Sequence, residues 1–127
     1  MFQGAKASVT GQTRVAVPSQ AQEAGLQTRW VGLASWYGGG EPLNRRVAMG
    51  HRFDPEAPEA AMWDVPFGTL VKVTNAENGR SIVVRITDRG PARWFRKRRA
   101  IDLTRRAFAE IAPLRQGLVP VVVERLS

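Results

Sequence analysis

The chain has 127 residues, one domain's worth and long enough to bury a core of its own. It holds no cysteine and a single histidine, His51, which excludes a disulfide framework, a thiolate metal site and any site built on two imidazoles. The formal charge of +8 speaks about partners, not about fold, and leaves nucleic acid, an anionic membrane face and an anionic cell-wall polymer all open.

Residues 1–29 are small and polar, with Val15-Ala16-Val17 the one apolar cluster and Pro18 directly after it. So little apolar surface does not offset the entropy of ordering a chain, and a flexible or partner-bound arm is expected there. The N-terminus lacks the apolar centre of a secretory signal, so the route of export stays open between the cell envelope or periplasm and a virion-borne protein. No stretch approaches the ~18 consecutive apolar residues of a membrane span. The domain proper is expected over residues 30–127.

Trp30 to Tyr37 reads as a strand stopped by Gly38-Gly39-Gly40. Residues 41–66 are rich in Pro, Glu and Ala without a sustained period, which predicts a long structured loop with a helical turn near Glu59 to Met62. Thr69 to Thr74 alternates polar and apolar as a half-buried strand should. Asn78-Gly79 then marks a hairpin, with Ser81 to Thr87 as the returning strand. Asp88-Arg89-Gly90-Pro91 closes that strand as a turn, since a Gly-Pro pair cannot continue a ladder. Thr104 is placed to cap a short helix whose inner face is Leu103, Ala107, Phe108 and Ile111, with Pro113 beyond its end. A last strand runs from Leu118 to Leu126, and Pro120 predicts an edge or a bulge within it. This order, without a βαβ repeat, fits a small closed or nearly closed β-barrel.

The strings Ala34-Ser35-Trp36-Tyr37-Gly38, Ala48-Met49-Gly50, Val65-Pro66-Phe67-Gly68-Thr69, Val73-Thr74-Asn75, Asn78-Gly79-Arg80, Val84 to Pro91 and Ile101-Asp102-Leu103-Thr104 occur in this order. Together they resemble the rare-lipoprotein-A-like domain, a double-psi β-barrel related to expansins and barwin-type proteins, over about Gly32 to Leu126. The resemblance implies a mainly β fold, a six-stranded barrel with a short helix and long loops. It also implies action on peptidoglycan glycan strands by lytic transglycosylation, a cleavage that leaves an anhydro sugar. Expansins share the barrel and bind polysaccharide, so the fold alone does not separate an enzyme from a binder.

Cleaving a glycosidic bond through an oxocarbenium-like transition state needs an acid for the leaving oxygen. Asp88 is the first candidate, with a turn-capping Asp as the alternative. Asp102 is the second, with interaction with the following helix dipole as its alternative. Asp54 matches the family's Phe-Asp pair and is a supporting carboxylate. Two family positions are exchanged: the glutamate after the glycine matching Gly50 is His51, and the histidine ahead of the Pro-Phe-Gly run is Met62. His51 is suited to proton handling near neutral pH, whereas a thioether moves no protons, so catalysis is expected to be weakened or altered. Trp36, Tyr37, Asn75 and Arg89 are expected to line a glycan groove, with Trp63 and Trp94 able to stack on sugar faces. No metal or organic cofactor is called for.

The run Arg93 to Arg99 is denser in charge than glycan binding needs. It is either a solvated loop or a contact for anions such as stem-peptide carboxylates, phosphates or an acidic protein partner. With Trp94 and Phe95 interleaved it also suits single-stranded nucleic acid. The arm and this loop together fit contacts with other subunits of an assembly.

Overall fold

The computed structural model describes residues 27–38, 47–91 and 99–127. The N-terminal arm to residue 26, the first part of the long loop (39–46) and most of the basic run (92–98, with Trp94) lie outside the described residues. The strands are β1 (Arg29–Tyr37), β2 (Glu59–Ala61), β3 (Leu70–Asn75), β4 (Ser81–Asp88), β5 (Arg99–Thr104) and β6 (Val119–Arg125), with the helix α1 (Arg105–Ile111) between β5 and β6. They close into a six-stranded mixed barrel in the order β1-β5-β2-β4-β3-β6. The pairs β1/β5 and β2/β4 are parallel, and the other contacts are antiparallel.

The hairpin forms as its alternation predicts. Val71 and Val73 of β3 and Val84 and Ile86 of β4 are buried, and the ladder runs from Leu70↔Arg85 to Thr74↔Ser81. Its loop is wider than the tight turn that Asn-Gly favours. Asn75 and Arg80 are joined by an Asn75 N–H bond to the Arg80 carbonyl at 2.8 Å, and Gly79 adopts φ 77°, which suits a glycine.

Two strands escaped the sequence. β2 stands where a helical turn was expected, because Glu59-Ala60-Ala61 is too short to show a period and is held by β4 on one side and β5 on the other. β5 lay hidden at the end of the basic run, although Ile101 and Leu103 are fully buried. Pro120 is not on an edge, since β6 is bonded to both β1 and β3. It lies just past the last β3 pair, Asn75↔Val121, where its missing N–H costs no rung. The irregularity falls on the facing strand, where β1 shifts register against β5 between Leu33 and Ala34.

The barrel interior joins β-branched residues of β3, β4, β5 and β6, with Ala34 of β1, to Phe108 and Ile111 of α1, which are fully buried. At about 1.5–3 kcal/mol for each large side chain removed from water, this core rather than the seven-residue helix holds the fold. Thr104 caps α1 as expected, its side chain accepting from the Ala107 N–H.

Candidate active site

The cross-strand register builds the site. Ser35 on β1 faces Asp102 on β5, Asp102 faces Ala61 on β2, and Ala61 faces Asp88 at the end of β4. Strands in a sheet lie about 4.8 Å apart, so two carboxylates stand roughly 10 Å apart at the backbone with one small residue between them. Ala34, Ala60 and Leu103, each next in sequence to a member of the row, fill the barrel, so Ser35, Ala61 and Asp102 lie on its outer face, and the register shift opposite Thr87 carries Asp88 into line with Ala61.

Each carboxylate is held. The Ser35 hydroxyl donates to Asp102 Oδ1. Asp88 Oδ1 accepts the backbone N–H of Arg89 at 2.9 Å and that of Ala48 at 3.2 Å. Gly90 closes over the row. A Cβ on it would stand 3.2 Å from the Ala61 methyl, which would have to give way, and 3.4 Å from Asp102 Oδ2, at the limit of ordinary contact.

Tyr37 lies two residues beyond Ser35 on the same side of β1, its ring stacked on Phe53 with centroids 5.4 Å apart. Burial raises its phenol pKa well above the ordinary value, and the charges of Asp88, Asp102 and Glu59 raise it further. Its hydroxyl is buried with no hydrogen-bond partner among the described residues. Gly38 follows at φ 97°, and a Cβ there would stand 2.9 Å from that of Pro55, so the loop carrying Phe53 can pack directly on the strand end.

Glu59 was not anticipated. Its side chain is 17% exposed, and its carboxylate accepts from the Thr87 hydroxyl at 3.0 Å and faces His51 Nε2 at 2.9 and 3.1 Å. The turn bearing His51 is pinned to β4 by the Ala48 bond to Asp88 and by a Met49 N–H bond to the Thr87 carbonyl at 2.9 Å. Nothing in sequence could have singled out Glu59, one of several acids in a stretch that reads as loop.

The structure therefore brings Asp88, Asp102, Tyr37 and, through its turn, His51 to one face. It places other expected residues elsewhere or gives them other partners. Asn75 sits at the far end of β4 from Asp88, buried, donating to the Ile111 carbonyl at 2.7 Å; it does not line this site. Trp36 turns away from the row toward α1, its ring 6.5 Å from Phe108 and its indole N–H bonded to the Leu114 carbonyl. Arg89 points back into the protein. Its Nη1 donates to the Met62 and Val65 carbonyls, both at 2.8 Å, and its guanidinium lies 4.0 Å from the Phe67 ring. Asp54 is exposed and accepts the Glu56 N–H at 2.9 Å, which makes it a turn former. Trp63 donates to the Pro91 carbonyl at 2.6 Å and lines a separate cavity of about 200 Å³ with Arg29, Trp30 and Arg99. Met62 is 1% exposed and belongs to the core. Trp94 lies outside the described residues.

Comparison with known proteins bears on this geometry. Residues 29–123 match the family described as lytic transglycolase. The chain is 46% identical over 103 residues to "Probable endolytic peptidoglycan transglycosylase RlpA" of Nostoc sp., covering 80% of this chain and 27% of that protein. It is 39% identical over 95 residues to the endolytic peptidoglycan transglycosylase RlpA of Neisseria meningitidis serogroup A, covering 75% and 38%. The chain thus spans well under half the length of these relatives. Among solved structures, the Streptomyces papain inhibitor superposes with a TM-score of 0.61 at 26% identity, covering 78% of this chain and 94% of that one. A Clavibacter michiganensis expansin in complex with cellohexaose does so with a TM-score of 0.61 at 16% identity, covering 78% and 50%, a likeness of fold alone.

Proposed function

Because the chain belongs to the lytic transglycolase family of double-psi β-barrel domains, we propose that it acts on the glycan strands of peptidoglycan in the cell envelope, cleaving them without water. The observation that supports this most is the row Ser35–Asp102–Ala61–Asp88, which presents two held carboxylates on one outer face. Both bonds to Asp88 go to Oδ1, which leaves Oδ2 uncommitted among the described residues. A proton on Oδ2 passes to the bridging oxygen as its bond to the sugar C1 breaks. The same sugar's C6 hydroxyl then closes on C1, and its proton returns to Asp88. One carboxyl group serves both steps. Asp102, fixed by Ser35, supplies negative charge near the developing oxocarbenium ion and orients the sugar. Tyr37 and Phe53 form an aromatic wall beside it, and the cavity at Trp63 is a more distant glycan contact.

A second reading is a glycan-binding domain with weak or absent cleavage. It is favoured by the exchange of two family polar positions for His51 and Met62, the latter buried. Nothing in the comparisons supports a virion-borne role. Digestion of purified sacculi, followed by mass spectrometry for anhydro-muropeptides, separates the readings. The wild type is expected to release them and Asp88→Asn to lose at least about a hundredfold, the usual share of an acid–base group. Equal release from both would remove Asp88 from the mechanism, and retention on sacculi without release would establish the binder.

A further inference from the structure

Position 51 projects from the turn that is pinned to Asp88, and it carries an imidazole where the family pattern has a carboxylate. The histidine is not loose. Its Nε2 lies 2.9 and 3.1 Å from the two Glu59 oxygens, so the ring is fixed on one edge. An exposed contact between a histidine and a carboxylate is usually of little consequence, but this one differs in its acidic half. Glu59 is 17% exposed, comes from a strand of the barrel, and accepts a hydrogen bond from Thr87, which is fully buried and adjoins Asp88 in sequence. Its charge also reaches the Tyr37 phenol together with those of Asp88 and Asp102. A carboxylate holding a histidine N–H in this way sets the tautomer: Nε2 keeps the proton, and Nδ1 is left as an acceptor. The imidazole is 42% exposed and so open to a ligand.

We propose that Glu59 carries the carboxylate that the family pattern puts at position 51, and that it acts through His51, whose Nδ1 accepts a hydrogen bond from a hydroxyl of the glycan bound at Asp88. This rests on the glycan reading given above. His51 is then the group that touches the sugar, and Glu59 is a positioning residue.

The test is a double-mutant cycle with His51→Glu, Glu59→Gln and the double variant, read both as anhydro-muropeptide release and as retention on sacculi, with thermal melting as a fold control. His51→Glu alone sets two carboxylates face to face. Glu59→Gln alone leaves the imidazole without its anionic partner. The double variant restores a single carboxylate at position 51. Each single variant is expected to lose on the order of tenfold, and the double variant to recover most of that loss, a coupling of the size found between contacting residues. Independent losses that multiply in the double variant, or Glu59→Gln indistinguishable from wild type, would overturn the proposal. Should the wild type release no product, the same cycle in sacculus retention decides it. Release that depends on Asp88 but shows no coupling between 51 and 59 sinks this inference while leaving the proposed function standing.

Discussion

Thr104 is the joint between the site's outer loop and the helix beneath it, and its replacement by valine tests how that loop is held. The hydroxyl is fully buried, donates to the Ala57 carbonyl at 2.6 Å and accepts the Ala107 N–H that opens α1. Valine keeps the shape and removes both bonds. The Ala57 carbonyl still receives the Glu59 N–H at 2.9 Å, so losing the first bond costs only a net hydrogen bond, about 1 kcal/mol. The second loss leaves a buried helix N–H uncapped, about another 1 kcal/mol. A total near 2 kcal/mol corresponds to a melting temperature lower by about 8–16 °C in a domain of this size. Thr104→Ser keeps both bonds and gives up one methyl, roughly 0.8 kcal/mol. Thermal and urea unfolding of the three proteins measure this. A valine variant that melts within about 2 °C of wild type, or a serine variant that is the worse of the two, would refute the reasoning.

Tyr37 is the only tyrosine in the chain, so phenolate absorbance reports on it alone. Its folded pKa is raised above the ordinary value of about 10, so the stability tied to its neutral form is complete below that pH and is lost as pH rises through the raised value. Phenolate is therefore expected in the folded protein only well above the ordinary value, and at a lower pH in Asp88→Asn, where one of the raising charges is gone; half-ionisation near the ordinary value in folded wild type would contradict the buried placement. Arg89→Lys should destabilise the domain by about 1–3 kcal/mol, because an ammonium cannot bridge two carbonyls and stack on Phe67 at once. A rise in KM for glycan with unchanged urea stability would instead make Arg89 a substrate contact.

How much of this was legible depends on whether a feature is local. The hairpin and α1 were, since alternation at Val71, Val73, Val84 and Ile86 and helical spacing at Ala107, Phe108 and Ile111 are written within short windows. Asp88 and Asp102 were found through motif strings. Their alignment in one row was not, because it depends on the register of four strands drawn from distant parts of the chain. Asn75 and Arg89 show the opposite failure. Both are polar motif residues, and both spend their side-chain hydrogen bonds among the described residues on the main chain of the fold.

The two exchanged positions now separate in kind. At position 62 the site uses the main chain: the Met62 N–H bonds the Asp88 carbonyl at 3.1 Å, and the Met62 carbonyl accepts from Arg89, while the side chain is buried in the core. Any residue other than proline supplies that N–H and carbonyl, so a thioether there leaves the frame around Asp88 intact. Position 51 contributes a side chain at the exposed rim, where chemistry depends on its type, and there the structure supplies a partner from another strand. A histidine alone would have changed the charge of the rim. A histidine held by Glu59 keeps a carboxylate within one hydrogen bond of it. A substitution at position 62 is therefore expected to act through packing of the core, and one at position 51 through the contact with Glu59.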